Sequence, residues 1–173
     1  MDARWFSDPI FQSLVSKRCT TKVIDVLLQV LQQAADRTRL LNHPFTESLA
    51  LLTLLRSEIN VAQAALKEMQ VDSEGLGRRL DRLLNRCDRV NYRSQEQVAD
   101  DLAHSYQEVA ATIWDLVERG KREAGTLGND WVGTEHLLLA IIQTADACLS
   151  SILAGAGVSL EAARRAIHKV LYS

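Results

Sequence analysis

Two prolines, three cysteines and an aromatic content of 5% are the scarcities of this chain, and each removes a class of function. With prolines only at Pro9 and Pro44, long stretches carry no obligatory helix breaker. Cys19, Cys87 and Cys148 are odd in number, far apart and form no CxxC pair, so the sequence encodes neither a zinc site nor a thiol-exchange motif, and no metal or cofactor is expected. Charge of one sign is lacking too. The formal net charge of −2 gives no global pull toward nucleic acid or an anionic membrane, and neither is expected as a partner. No segment approaches the roughly 18 uninterrupted apolar residues of a membrane span. The opening Met1-Asp2-Ala3-Arg4-Trp5 leads into no apolar signal-peptide core, so a cytoplasmic location is expected.

Catalytic signatures are missing in the same way. The only Gly-Lys pair, Gly120-Lys121, is followed by Arg122 and has Asp115 where a phosphate-binding loop needs its first glycine. Gly75-Leu76-Gly77 and Gly155-Ala156-Gly157 lack the third glycine of a dinucleotide fingerprint and read as helix-end turns. His43, His104, His136 and His168 never form HExxH, and His136 is read as a packing or hydrogen-bonding residue. No catalytic residue is nominated, and the chain is not expected to be an enzyme.

What is present is apolar residue at helical spacing. Hydrophobic residues make up 47% of the chain and recur three and four apart nearly everywhere, which predicts an all-α fold with no confident strand. Asp8-Pro9 opens a short amphipathic helix. A longer helix is expected from Thr20 or Thr21, with Val23, Leu27, Val30 or Leu31, and Ala34 on one face, ending before Asn42-His43-Pro44. Thr46 caps the next helix, with Glu47 in its first turn and Leu49, Leu52 and Leu55 directed inward. A shorter helix follows near 61–69, and Ser73 caps another carrying Leu76, Leu80, Leu83 and Leu84. After the polar stretch 91–94, Ser94 and Gln97 have capping-box spacing ahead of a long helix with Val98, Leu102, Tyr106, Val109, Ile113 and Leu116, which fades at 125–130. Thr134 caps a helix with Leu137, Leu138 and Ile141, a short helix near 149–153 ends at Gly155, and Ser159 caps the last.

The order of elements therefore repeats. Thr134-Glu135 follows Thr46-Glu47 by 88 residues, and Leu153 follows Leu66 by 87. Two tandem, pseudo-symmetric four-helix repeats packed as one domain are expected, with an N-terminal helical extension over 1–19, repeat 1 over 20–90 and repeat 2 over 91–173.

In the second half stand Glu123-Ala124, Leu127-Gly128, Val132-Gly133-Thr134-Glu135-His136-Leu137-Leu138-Leu139, and then Gly157-Val158-Ser159-Leu160-Glu161. This run resembles the Clp N-terminal repeat, whose members pair an EAxxLGxxxVGTEHLLL core with a GVxLE-type helix start. Thr46-Glu47-Ser48-Leu49 and Val71-Asp72-Ser73-Glu74 hold the same places in the first half, but Phe45 replaces the glycine and Ser48 the histidine, so that copy is degenerate. The resemblance spans about 20–173. It implies an eight-helix fold that in Clp-type unfoldases receives substrates and adaptors, here without the ATPase modules. In the ClpC-like branch the motif glutamate contributes to pockets for phosphorylated arginine, and Glu135 and Glu47 match it. Physically, the Gly-Thr-Glu start is explained by a tight entry, a cap and the helix dipole alone; carboxylates also suit a guanidinium, and free amides at a helix start suit phosphate.

The expected binding surface, for peptide or phosphoarginine, comprises Thr46, Glu47, Trp131, Val132, Gly133, Thr134, Glu135 and His136. Trp5, Trp114 and Trp131 are candidate core or interface anchors. Arg78, Arg79, Arg82, Arg86, Arg89 and Arg93 form the densest basic stretch, read as a solvated helix face or a docking face for an acidic partner. The expected function is a non-catalytic protein-binding module, an accessory or adaptor-like factor of a Clp unfoldase or protease system. A module that only assembles, as a homodimer through its N-terminal helix, is the alternative.

Overall fold

Side chains that accept the first free N–H groups decide where these helices begin. The structure, a computed structural model, describes residues 22–23, 27, 29–34, 37, 46–57, 60–87 and 98–173. The 1–19 extension, the break at 42–44, the boundary at 91–94 and the Ser94/Gln97 pair lie outside the described residues. Helix α1 (Glu47–Arg56) starts where Thr46 Oγ1 accepts from Leu49 N–H at 3.3 Å. Its acidic first turn and basic last turn suit the helix dipole. Its final carbonyls accept from Gln63 Nε2, which spans Leu54, Leu55 and Ser57 at 3.0–3.1 Å. Helix α2 (Val61–Glu68) is capped by Asn60, whose Oδ1 accepts from Gln63 N–H. Helix α3 (Ser73–Cys87) is capped by Asp72 rather than Ser73: Asp72 Oδ1 accepts from Gly75 N–H at 2.9 Å. Gly75 thus lies in the first turn of α3, where the Asp72 carboxylate fills the space a β-carbon would need.

Helix α4 (Val98–Thr126) is the longest, and a turn with Gly128 at φ 75° leads from it toward the motif. Helix α5 (Thr134–Thr144) is followed by α6 (Ala147–Gly155), capped by Asp146, and α7 (Leu160–Tyr172), capped by Ser159 as expected. The fold is all-α, with one small addition. Lys22–Val23 (β1) pairs in parallel with Trp131–Val132 (β2), Val23 opposite Val132. Val23 was expected on a helix; its backbone instead bonds to a segment more than a hundred residues away, a partner that local periodicity cannot reveal. Residues 29–34 are helical, and Leu27, Val30, Leu31 and Ala34 are buried as their spacing predicts.

The starts of α1 and α3 and the turn after α2 set the register between the halves at 87, while the caps of α2 and α6, Asn60 and Asp146, stand 86 apart. The first helical bond of α1, Ala50 N–H to Thr46 O, matches Leu137 N–H to Gly133 O in α5, and that of α3, Leu76 N–H to Asp72 O, matches Ala163 N–H to Ser159 O in α7. The turn after α2, closed by Val71 N–H to Leu66 O, matches the turn after α6, closed by Val158 N–H to Leu153 O. Glu47 therefore stands opposite Thr134, while Ser48 occupies the place of Glu135 and Leu49 that of His136. The pairing of Glu47 with Glu135 is one residue out of step, because the two Thr-Glu dipeptides match in letters while the caps, Thr46 and Gly133, do not.

Packing exchanges neighbours between the halves: α2 lies against α7, α3 against α6, and the equivalent helices α1 and α5 against each other. Leu49, Leu51, Leu54, Leu76 and Leu80 from the first half share one buried cluster with Leu116, Leu137, Leu138 and Leu153 from the second. Each such leucine contributes about 1.5–3 kcal/mol by leaving water, so neither half completes its core alone. Among the described residues, no single helix is long and apolar enough to cross a membrane.

Candidate functional site

The motif segment 131–136 is held by α4 on one side and β1 on the other. Gly120 makes the approach of α4 possible: a β-carbon there would lie 3.0 Å from Val132 Cγ1 and 3.6 Å from the His136 carbonyl. The next position toward α5, Gly133, is the N-cap, and Thr134 is the first helical residue rather than the cap. A glycine cap has no side chain to offer. His136 supplies the missing half by reaching back, its Nδ1 accepting from Gly133 N–H at 3.0 Å.

That single bond determines a longer chain of hydrogen bonds. With Nδ1 as acceptor, the neutral imidazole carries its proton on Nε2, which lies 3.1 Å from the side-chain amide of Asn129. The Oδ1 end of that amide accepts from the Tyr172 hydroxyl at 2.7 Å. The Leu127 carbonyl oxygen lies 3.4 Å from the same hydroxyl. His136 is fully buried, and burial lowers its pKa to about 4 against the opposing attraction of Glu123, so the ring is neutral at physiological pH. Its reading as a hydrogen-bonded packing residue is borne out. Asn129 and Tyr172 carry no motif spacing that announces them; only the fold brings them to the histidine.

Glu135 is 1% exposed and folds back over its own helix start. Its carboxylate occupies the space beside the Gly133 Cα so closely that a β-carbon there would lie 2.5 Å from both oxygens. Burial pushes its pKa up, outweighing the nearby polar groups of its own backbone, Trp131 and Thr134 that pull it down. Its Oε2 has no hydrogen-bond partner. Oε1 is 3.3 Å from His136 Nδ1, which is no ion pair while the imidazole is neutral. Trp131, just ahead of this helix start, is itself 41% exposed.

Glu123, the first residue of the motif, is also spent on structure. It accepts from Arg164 Nε at 3.0 Å and Nη2 at 2.7 Å, and from Gln143, tying α4 to α7 and α5. Burial pushes its pKa up, but Arg164 and Gln143 outweigh this and hold the carboxyl below the usual range.

The structure thus divides the expected site. Val132, Gly133, Thr134, Glu135 and His136 come together but are buried; Trp131 is the surface member; Thr46 and Glu47 are half-buried at the start of α1. Trp114 is half-buried, with Lys121 Nζ 5.3 Å above its ring. Trp5 lies outside the described residues. No group of three or more histidine, cysteine, aspartate or glutamate side chains converges as a metal site would among the described residues.

The family described as the Clp repeat (R) N-terminal domain matches residues 108–173. The chain is 29% identical over 129 residues to the negative regulator of genetic competence ClpC/MecB of Bacillus subtilis, covering 71% of this chain and 14% of that protein. It is 29% identical over 145 residues to a probable ATP-dependent Clp protease ATP-binding subunit of Chlamydia pneumoniae, covering 83% and 16%. It is 40% identical over 58 residues to the chaperone protein ClpB of Oceanobacillus iheyensis, covering 34% and 7%. The chain thus spans less than a fifth of the length of these relatives. The motif at 123–142 and 157–161 falls wholly inside the stretch, residues 108–173, that matches the Clp repeat N-terminal domain family.

Proposed function

We propose that this protein is a non-catalytic binding module of a cytoplasmic Clp unfoldase or protease system, acting as an accessory or adaptor-like factor that engages substrate polypeptides or adaptors. The observation that carries this reading is Trp131: a large aromatic side chain left exposed directly before the buried residues 132–136. A preorganised indole of this kind is a typical interface anchor. The division into 1–19, 20–90 and 91–173 belongs to the same proposal, with the 87-residue register in its favour.

Affinity capture from the native lysate tests it. Wild-type protein retains a Clp component and Trp131→Ala loses it; equal retention by both overturns the reading. Phosphoarginine is the finer candidate ligand at this site. Because Glu135 is buried, such a ligand must displace the carboxyl from its place over Gly133. A phosphoarginine peptide that binds wild type and loses affinity in Glu135→Gln supports that role, whereas the same affinity for an unphosphorylated arginine peptide contradicts it.

A further inference from the structure

A second surface, on the first half, has a different chemistry. Arg78, Arg79 and Arg82 are exposed on α3, and Arg79 and Arg82 form no ion pair among the described residues. Between the last turn of α1 and the first turns of α3 runs a groove of about 310 Å³. Leu55 and Gly77 supply its apolar lining, Arg56 and Arg78 its cations, and Glu74 and Asp81 its carboxylates.

Within the groove cations and carboxylates are equal in number, and the excess positive charge lies on the adjoining Arg79 and Arg82 of α3. Arg56 is bonded to Asp81, and Arg37 lies near both. Arg37 is held below its usual pKa by burial and by the Arg56 charge, with Asp81 only partly offsetting them. Arg37 thus adds a positive charge beside the Arg56–Asp81 pair. Arg78 is held only loosely, 3.5 Å from Glu74 and 3.7 Å from Asp72, both highly exposed partners that water screens. A planar guanidinium fork in this state is suited to a carboxylate brought from outside.

We propose that this groove and the adjoining arginines of α3 dock an acidic peptide segment of a partner protein. Its carboxylates meet Arg56 and Arg37 at one end and Arg78 and Arg82 along α3, with an apolar side chain against Leu55 and Gly77. Nucleic acid fits less well, because among the described residues no aromatic side chain lines the groove to stack a base. The surface is separate from Trp131, so it does not depend on the function proposed above.

The test is fluorescence anisotropy with a short labelled peptide of alternating glutamate and leucine, its glutamine counterpart and a single-stranded oligonucleotide. Arg78→Glu with Arg82→Glu replaces two exposed side chains and leaves the core untouched. Arg122→Glu with Arg165→Glu, exposed on α4 and α7, makes the same change in charge elsewhere. Circular dichroism confirms that both variants keep their helices. The expected result is that the glutamate peptide binds wild type, weakens as salt rises, and weakens by about tenfold or more in the α3 variant only. Equal binding of the glutamine peptide, equal weakening in the two variants, tighter binding of the oligonucleotide, or no peptide binding to wild type would each overturn the proposal.

Discussion

The two halves build the same helix start in different ways. In the first, Thr46 accepts the free N–H with its own hydroxyl, and Ser48 and Leu49 follow. In the second, Gly133 holds the cap position, His136 reaches back to it, and the room left by the missing β-carbon is filled by Glu135. The backbone is the same within register, so stability alone does not require the second arrangement. What it adds is a buried carboxyl beside Gly133 and a hydrogen-bonded chain running to the end of α7. The degenerate half is the self-sufficient one; the half that keeps the motif depends on a cooperative network.

The largest expected effect comes from breaking that network. His136→Leu, which copies Leu49, leaves the buried Gly133 N–H without a partner and the Asn129 amide with only Tyr172, and should cost about 2–4 kcal/mol in chemical denaturation. Adding Gly133→Thr and Glu135→Ser to it transplants the first-half start, and at least half of the loss should return. If the triple variant is no more stable than the single one, the two starts are not interchangeable.

The same residues give the second half a pH dependence that the first half lacks at this position. His136 binds its proton less tightly in the folded state, with a pKa of about 4 against 6.5 in the unfolded chain. It therefore contributes stability that is complete above pH 6.5 and is lost as the pH falls toward 4, about 3 kcal/mol in all. Glu135 is shifted upward, so its contribution is complete below the unfolded carboxyl value of 4.5 and is lost as the pH rises through its folded pKa. Denaturation midpoints across pH should show His136→Leu flattening the acid limb and Glu135→Gln flattening the loss above 4.5.

Smaller effects compare the turns after α2 and α6. Gln70 sits at φ 59° where the second half has Gly157 at φ 76°. Gln70→Gly should stabilise by about 0.5–1 kcal/mol and Gly157→Ala destabilise by about 1 kcal/mol, since a side chain is strained in the left-handed region. Thermal melts that move the same way for both variants would break the equivalence of the turns. The smallest effect is assigned to Glu47→Ala, under about 0.5 kcal/mol, because Glu47 stands opposite Thr134 and not opposite Glu135.

Helix order, the caps at Thr46 and Ser159, and the buried faces carrying Leu49, Leu80 and Leu137 were legible because they depend on spacing and on bonds three residues apart. What spacing does not encode was not. The strand at Val23 depends on Trp131 and Val132, and the cap at Gly133 depends on a histidine three residues later acting where a glutamate or glutamine is the familiar choice. Burial of Glu135 runs against the default for a carboxylate at a helix start and follows from Gly133, whose missing side chain makes the room. The one-residue slip between Glu47 and Glu135 arose because identical letters were aligned where equivalent hydrogen bonds should have been.

The most direct measurement is the affinity of the captured Clp component for wild type, Trp131→Ala, Glu47→Ala and the Gly133→Thr, Glu135→Ser, His136→Leu transplant, titrated side by side. A binding surface confined to the second half predicts a loss of about tenfold or more for Trp131→Ala and for the transplant, with Glu47→Ala within about twofold of wild type. Full affinity in Trp131→Ala, or an equal loss in Glu47→Ala, would contradict it.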